Sequence, residues 1–262
     1  WTSAPYGARF VKEGGVLTPR IELKYRAITL RGAALPMTDQ DLFLESSKAI
    51  GSFDAITEGD GVTGGQTVLD IGFSNVNPVL HCPGTILGAS VMENFGRIFG
   101  GNDPYQYSIY SHAYSQSVAE VQYAFYLEQV QLAEAIGVDL LRYPKKNFMS
   151  RTSILGPEYM GDDCIVPFEE QFPMAYGTGP FSIQDRYITE DVPVGCHIYH
   201  QLGKKYGVAT PVIDSMITLG SVMTGQSFFE TGLTLEDLDL AHLSAEETLA
   251  YLEKGQFRKA EA

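Results

Sequence analysis

Residues 118–136 contain neither proline nor glycine, a long uninterrupted stretch in a chain that otherwise spends 27 glycines and 13 prolines freely. Ser117 and Glu120 in front of it have the spacing of a capping box, and Gly137 behind it suits the left-handed residue that ends a helix. Val118, Val121, Phe125, Leu132 and Ile136 recur on one face, while Ala124, Leu127 and Val130 fall elsewhere. The pattern predicts a mostly buried helix over 118–136.

Helical signals continue on both sides. Asn77-Pro78 reads as a cap and first helical residue, opening a helix to about Phe99 whose first turns Pro83 breaks. Further helices are expected at 193–206, at 211–224 behind Thr210-Pro211, and at 245–254, where Ser244 and Glu247 repeat the capping-box spacing. Residues 143–185 carry five prolines and no sustained period, so they read as a long irregular connection holding one short helix, the kind of segment that is often functional. Ahead of the helices the pattern differs. Residues 6–12 and 20–35 alternate like strands, and Thr38 before Asp39 and Asp41 predicts a short helix over 39–50 ending near Gly51.

A chain of 262 residues with 44% hydrophobic and 19% charged side chains buries a sizeable core as one large unit or a unit with a lobe. No stretch approaches the roughly 20 apolar residues of a membrane span, and charges interrupt the first 30 residues, so no membrane association is expected. Cys82, Cys164 and Cys196 are odd in number and far apart in sequence, which gives neither a disulfide framework nor a zinc ribbon; a reducing, cytoplasmic setting fits. The formal charge of −14 argues against nucleic acid. It is unevenly spread: residues 1–31 hold six basic and two acidic side chains, as though they belonged to a different unit. Trp1 is an unusual first residue, because initiator methionine is normally removed ahead of small residues, so a cut chain or a fragment is expected.

Several motifs invite chemistry. Gly59-Asp60-Gly61-Val62-Thr63-Gly64 satisfies G-x-G-x-x-G, yet no strand is evident before it and no clear helix after it, so it reads as a loop and not a pyrophosphate site. His197 and His200 stand three apart on a helix with Asp191 nearby, but no further ligand stands out, and zinc needs at least three; no metal is expected. Tyr105, Tyr107, Tyr110, Tyr114, Tyr123 and Tyr126 suit either packing or stacking on a planar ligand. His81 lies between Pro78 and Pro83, whose fixed φ angles hold it in one posture. It reads either as a placed acid-base group or as a hydrogen-bonded structural histidine. Arg186, Glu190 and Asp191 precede the helix start at Pro193, where caps and solvated charge are the plainer explanation.

Three segments, Ser74-Asn75-Val76-Asn77-Pro78-Val79-Leu80-His81, Arg186-Tyr187-Ile188-Thr189-Glu190-Asp191-Val192 and Thr210-Pro211-Val212-Ile213-Asp214, together resemble the opine dehydrogenase family, the enzymes akin to octopine and nopaline dehydrogenases. Order and spacing match too, and the similarity runs through most of residues 70–240. The resemblance implies a mainly α-helical catalytic domain over 71–262, preceded by an α/β remnant of a Rossmann-like, NAD(P)-binding domain over 1–70, with the phosphate loop upstream of Trp1. It implies reductive condensation of a pyruvate-like α-keto acid with an amino acid, using NAD or NADP. His81 is the residue carried over as the proton-handling group, and Asp191 the acid that holds its tautomer and stabilises its cation. Arg186 would take an anion, and Asn75 and Thr85 polar contacts to substrate. Cys82 departs from the proline usual after the histidine, and the segment 233–240 follows the family only loosely. Without its N-terminal cofactor domain the chain is expected to be inactive alone; a homodimer would be unsurprising. The alternatives are a ketopantoate-type reductase, which usually has lysine at the acid position, whereas none lies between Lys48 and Lys145, and an orphan helical interaction domain without activity.

Overall fold

The computed structural model describes residues 6–14, 16–23, 30–48, 62–100, 106–140, 142–149 and 178–255. The long helix is there, as Gln116–Ile136, but it starts two residues early. Ser115, and not Ser117, is the N-cap, its hydroxyl accepting from Val118 N at 3.4 Å, and Gly137 closes the C-terminus at φ +87°. Phe125, Leu132 and Ala133 are fully buried along it. Helices Asn77–Leu87, His197–Tyr206 and Pro211–Thr224 pack around it, so it forms the axis of the core. Loss of a side chain such as Phe125 would cost about 3–5 kcal/mol by the usual cavity penalty.

Glu128 is the polar exception on that axis. Its carboxylate accepts from Val212 N at 2.8 Å and Ile213 N at 3.0 Å. Thr210, the N-cap of the Pro211–Thr224 helix, makes no side-chain cap bond, so Glu128 supplies from another helix the acceptors that first-turn amides need. Burial pushes the Glu128 carboxyl up from its ordinary value, against the two amides that pull it down.

The region expected as one helix over 77–99 is three: Asn77–Leu87, Ala89–Glu93 and Phe95–Phe99. Asn77 is the first helical residue and not the cap; its amide donates to Asn75 Oδ1 at 3.1 Å. Pro83 sits inside the first of these helices without ending it. The capping box at Ser244 and Glu247 is present in both directions, opening Ala245–Lys254. The helix expected at 193–206 is His197–Tyr206, preceded by a π-helical segment Asp191–Cys196. Lys145–Phe148 is a short helix in the irregular connection, of which residues 150–177 lie outside those described.

Ahead of this helical body, Tyr6–Glu13 pairs antiparallel with Val16–Leu23, and Leu30–Gly32 pairs parallel with Val62–Gly64. The helix expected at 39–50 is Gln40–Lys48, behind a 3-10 turn at Met37–Asp39. The glycine motif is corrected in one respect. A helix does follow it, Val68–Phe73, capped by Thr67; Val62-Thr63-Gly64 is itself the strand, and Gly59 to Gly61 lie outside the described residues. Asp70 of that helix is fully buried and accepts from Arg31 at 2.5 Å and from Gln66 N at 2.9 Å, tying the small parallel sheet to the helical body.

Candidate active site

Three separate segments meet at His81. The Asn77–Leu87 helix carries the imidazole; the π-helical segment beginning at Asp191 supplies its carboxylate; the π-helical turn Ile109–Ala113 supplies Tyr110. His81 Nδ1 lies 2.7 Å from Asp191 Oδ2, across 110 residues of sequence, and Nε2 lies 3.3 Å from the Tyr110 hydroxyl. One ring face is covered by Tyr187, with centroids 3.6 Å apart and planes within 3°. His81 retains only 6% of its exposure. With Asp191 accepting at Nδ1, the imidazole is held with its proton there, leaving Nε2 as the nitrogen that gains or gives a proton.

Glycines let these segments approach. A Cβ on Gly195 would lie 2.8 Å from Pro78 Cγ, so the segment bearing Asp191 reaches the His81 helix only because residue 195 has no side chain. A Cβ on Gly84 would meet the Tyr114 ring at 2.5 Å and Ile109 at 2.8 Å, so the Tyr110 turn lies against the same helix for the same reason. The turn is pinned further by the Tyr114 hydroxyl, which donates to Leu80 O at 3.0 Å. Departures from the α-helical repeat concentrate at functional sites, and here two of them, one holding Tyr110 and one opening with Asp191, flank one histidine.

The remaining candidates fall as follows. Arg186 is exposed at the start of a four-residue helix, Arg186–Thr189, capped by Asp185. Asn75 lines an open apolar groove of about 220 Å³ with Phe73, Gly195, Ile198 and Leu202. Thr85 is fully buried one turn beyond His81, and its hydroxyl has no hydrogen-bond partner among the described residues. His197 and His200 stack with ring centroids 5.9 Å apart but bond separately: His197 Nδ1 to Leu233 O and His200 Nδ1 to Asp214 Oδ1, each at 2.8 Å. Among the described residues no group of three potential metal ligands is present, and no helix is long and apolar enough to cross a membrane. Cys82 and Cys196 are free thiols, both fully buried, with sulfurs 3.6 Å apart; burial pushes the Cys82 thiol well up, which makes it a packing group and a poor nucleophile. Cys164 lies outside the described residues.

The sequence reading did not single out Tyr187, and it weighed Tyr110 only as one of six aromatic residues. Nothing local separates Tyr110 from Tyr107 or Tyr114, which are buried. The contact with a histidine 29 residues away does so.

Where a dinucleotide would sit is a separate matter. The turn between Val62–Gly64 and the Val68–Phe73 helix has the strand-to-helix order of a phosphate loop, but its amides are in use. Thr67 Oγ1 accepts from Leu69 N and Asp70 N, and Asp70 Oδ2 from Gln66 N, so a carboxylate already occupies the place an anion would take. That turn is therefore not open as a cradle for a pyrophosphate.

Residues 65–224 match the family described as NAD/NADP octopine/nopaline dehydrogenase, alpha-helical domain. Among curated proteins, an opine dehydrogenase from Arthrobacter sp. (strain 1C) is 27% identical over 183 residues, covering 69% of this chain and 46% of that protein. A vitopine synthase from Allorhizobium ampelinum is 27% identical over 171 residues, covering 64% of this chain and 43% of that protein. The chain thus aligns with less than half the length of either relative. A solved octopine dehydrogenase, in complex with NADH and L-arginine, shares 17% identity at a TM-score of 0.41, over 81% of this chain and 55% of that one. With its helical domain matched over most of the described core, the chain belongs to the octopine/nopaline dehydrogenase family.

Proposed function

We propose that the chain is the catalytic part of an NAD(P)H-dependent opine dehydrogenase, which condenses a pyruvate-like α-keto acid with the amino group of an amino acid and reduces the product. The observation that carries this is the contact of His81 with Asp191 at 2.7 Å, between two of the three sequence segments that resemble the family. Residues 71–262 form the substrate and catalytic domain, and residues 1–70 the closing part of a dinucleotide-binding domain, NAD or NADP being its cofactor. The enzyme is cytoplasmic and works on small molecules.

The dinucleotide, when bound, supplies hydride. What this chain supplies is the proton. Reduction at a carbonyl or imine carbon leaves negative charge on the heteroatom, which a positioned acid must neutralise. Asp191 holds the proton on Nδ1 of His81 and stabilises the imidazolium; Nε2 carries the proton that is given up. Arg186, exposed one helical turn before Asp191, offers a two-pronged cation to the keto-acid carboxylate. Asn75, on the open groove, offers a polar contact to substrate, whereas Thr85 is fully buried and so is set aside as a substrate contact.

The test is NAD(P)H consumption with pyruvate and pooled amino acids, run on the full-length natural polypeptide that carries this sequence, with the product identified by mass. A secondary amine whose formation requires His81 supports the proposal. A hydroxy acid as the only product, or full activity in His81→Asn, contradicts it. Residues 1–262 alone are expected to be inactive, as a catalytic domain without the phosphate-binding half of a cofactor domain.

A further inference from the structure

We propose that the hydroxyl of Tyr110, and not the imidazole of His81, is the group that touches the substrate, and that it relays the proton between the two. The inference deepens the function proposed above and rests on it. Both ring nitrogens of His81 have partners inside the protein, Asp191 on Nδ1 and Tyr110 on Nε2, and Tyr187 covers a face of the ring. The nitrogen that must deliver the proton therefore points at a phenol. His81 and its neighbour Cys82 are buried, whereas Tyr110 is only partly buried, so of the two residues in contact through Nε2 Tyr110 is the more exposed.

The contact completes a chain from Asp191 through His81 to Tyr110. The position of Tyr110 is fixed from three sides. The π-helical turn Ile109–Ala113 holds the backbone, the Tyr114 ring meets Tyr110 edge-on at 5.4 Å, and Gly84 lets the turn seat directly on the His81 helix. The step balances in protons alone. The Tyr110 O–H bond breaks as its proton goes to the substrate oxygen or nitrogen, and the same phenol oxygen takes the proton from Nε2 of the His81 imidazolium. The histidine ends one proton poorer, the substrate heteroatom one proton richer, and Tyr110 unchanged; no side chain is oxidised or reduced.

The experiment is Tyr110→Phe in the full-length polypeptide, followed by kcat, KM and a proton inventory in mixtures of light and heavy water. The relay predicts a fall in kcat of about 10²-fold, the usual worth of one acid-base group, with KM for both substrates little changed. It also predicts a bowed inventory for the unmodified enzyme, since two protons move together, and a straight one for the variant. In a long-range proton–nitrogen spectrum of the chain itself, the His81 Nε2 resonance should shift in Tyr110→Phe. A variant that folds poorly leaves the inventory of the unmodified enzyme as the deciding measurement, and a straight line there overturns the relay. Opine formation that depends on His81 but is unaltered in rate and inventory by Tyr110→Phe overturns the relay and leaves the proposed function standing. No opine formation at all overturns both.

Discussion

Among the described residues two histidine–aspartate pairs have nearly the same length and sit in different surroundings. His81 and Asp191 are 2.7 Å apart, His200 and Asp214 2.8 Å. The first pair joins segments 110 residues apart, under a stacked tyrosine, with side chains 7% and 17% exposed. The second joins neighbouring helices 14 residues apart, and its aspartate is 40% exposed. Asp214 also accepts the hydroxyl of Thr210 at 3.0 Å at the start of its helix, so its Oδ1 is shared between two partners. Phe229 meets the His200 ring edge-on at 5.0 Å, where the first pair has a phenol hydroxyl on Nε2. Distance alone does not mark an acid-base centre. What singles out His81 for the proposed role is a second nitrogen facing a phenol hydroxyl inside a converging set of elements.

Exchanging each aspartate for its amide gives the widest separation between the two pairs. Asp191→Asn should lower kcat for opine formation by about 10²–10⁴-fold, because the amide no longer enforces the proton on Nδ1. Asp214→Asn should leave kcat within about twofold and cost at most about 1 kcal/mol in denaturant unfolding, as expected for a half-exposed pair. A comparable loss of kcat in both would break the distinction.

Next in size is Glu128, which supports the helix of the second pair and touches nothing in the first. Glu128→Ala should destabilise the fold by about 2–4 kcal/mol, since it strips two buried amides of their acceptor. The midpoint of urea unfolding reports this, while kcat per folded molecule stays constant. Gly195→Ala does the reverse. Its new methyl group would press on Pro78 and move the Asp191 segment away from His81, so kcat should fall about tenfold for a stability loss of about 1–3 kcal/mol.

The smallest effect is a slope with pH. Burial raises the Glu128 carboxyl above its ordinary 4.5, so the folded chain holds that proton more tightly than the unfolded one. The stabilisation is complete below about 4.5 and is lost as pH rises through the folded value. In Glu128→Gln that part of the slope in unfolding free energy disappears, and a slope unchanged by the substitution would show that it arises elsewhere.

The legible part of this fold is the part written locally. Ser244 and Glu247 made their box, Gly137 its left-handed end, and Thr210-Pro211 its helix start, because each depends on residues within one turn. Pro83 was misread, since its effect depends on whether neighbours fill the gap it leaves, and in this packed helix it is tolerated. The Val68–Phe73 helix was missed because six residues, capped by Thr67 and tied to Arg31 from 39 positions away, carry almost no period. At the site, the resemblance pointed to His81 and Asp191 together, and no property of either segment did so alone. Tyr110 stayed hidden for a plainer reason. Its role is given by one hydroxyl contact across 29 residues, and a π-helical turn has no spacing that distinguishes it from a loop.

The most direct test sets His81→Asn beside His200→Asn in the full-length polypeptide, with pyruvate, pooled amino acids and NAD(P)H, and measures the secondary amine formed by mass. The account predicts that His81→Asn lowers its rate by at least about 10²-fold, while His200→Asn forms it at close to the unmodified rate. Equal rates in the two variants would contradict the claim that the buried pair is the acid-base centre.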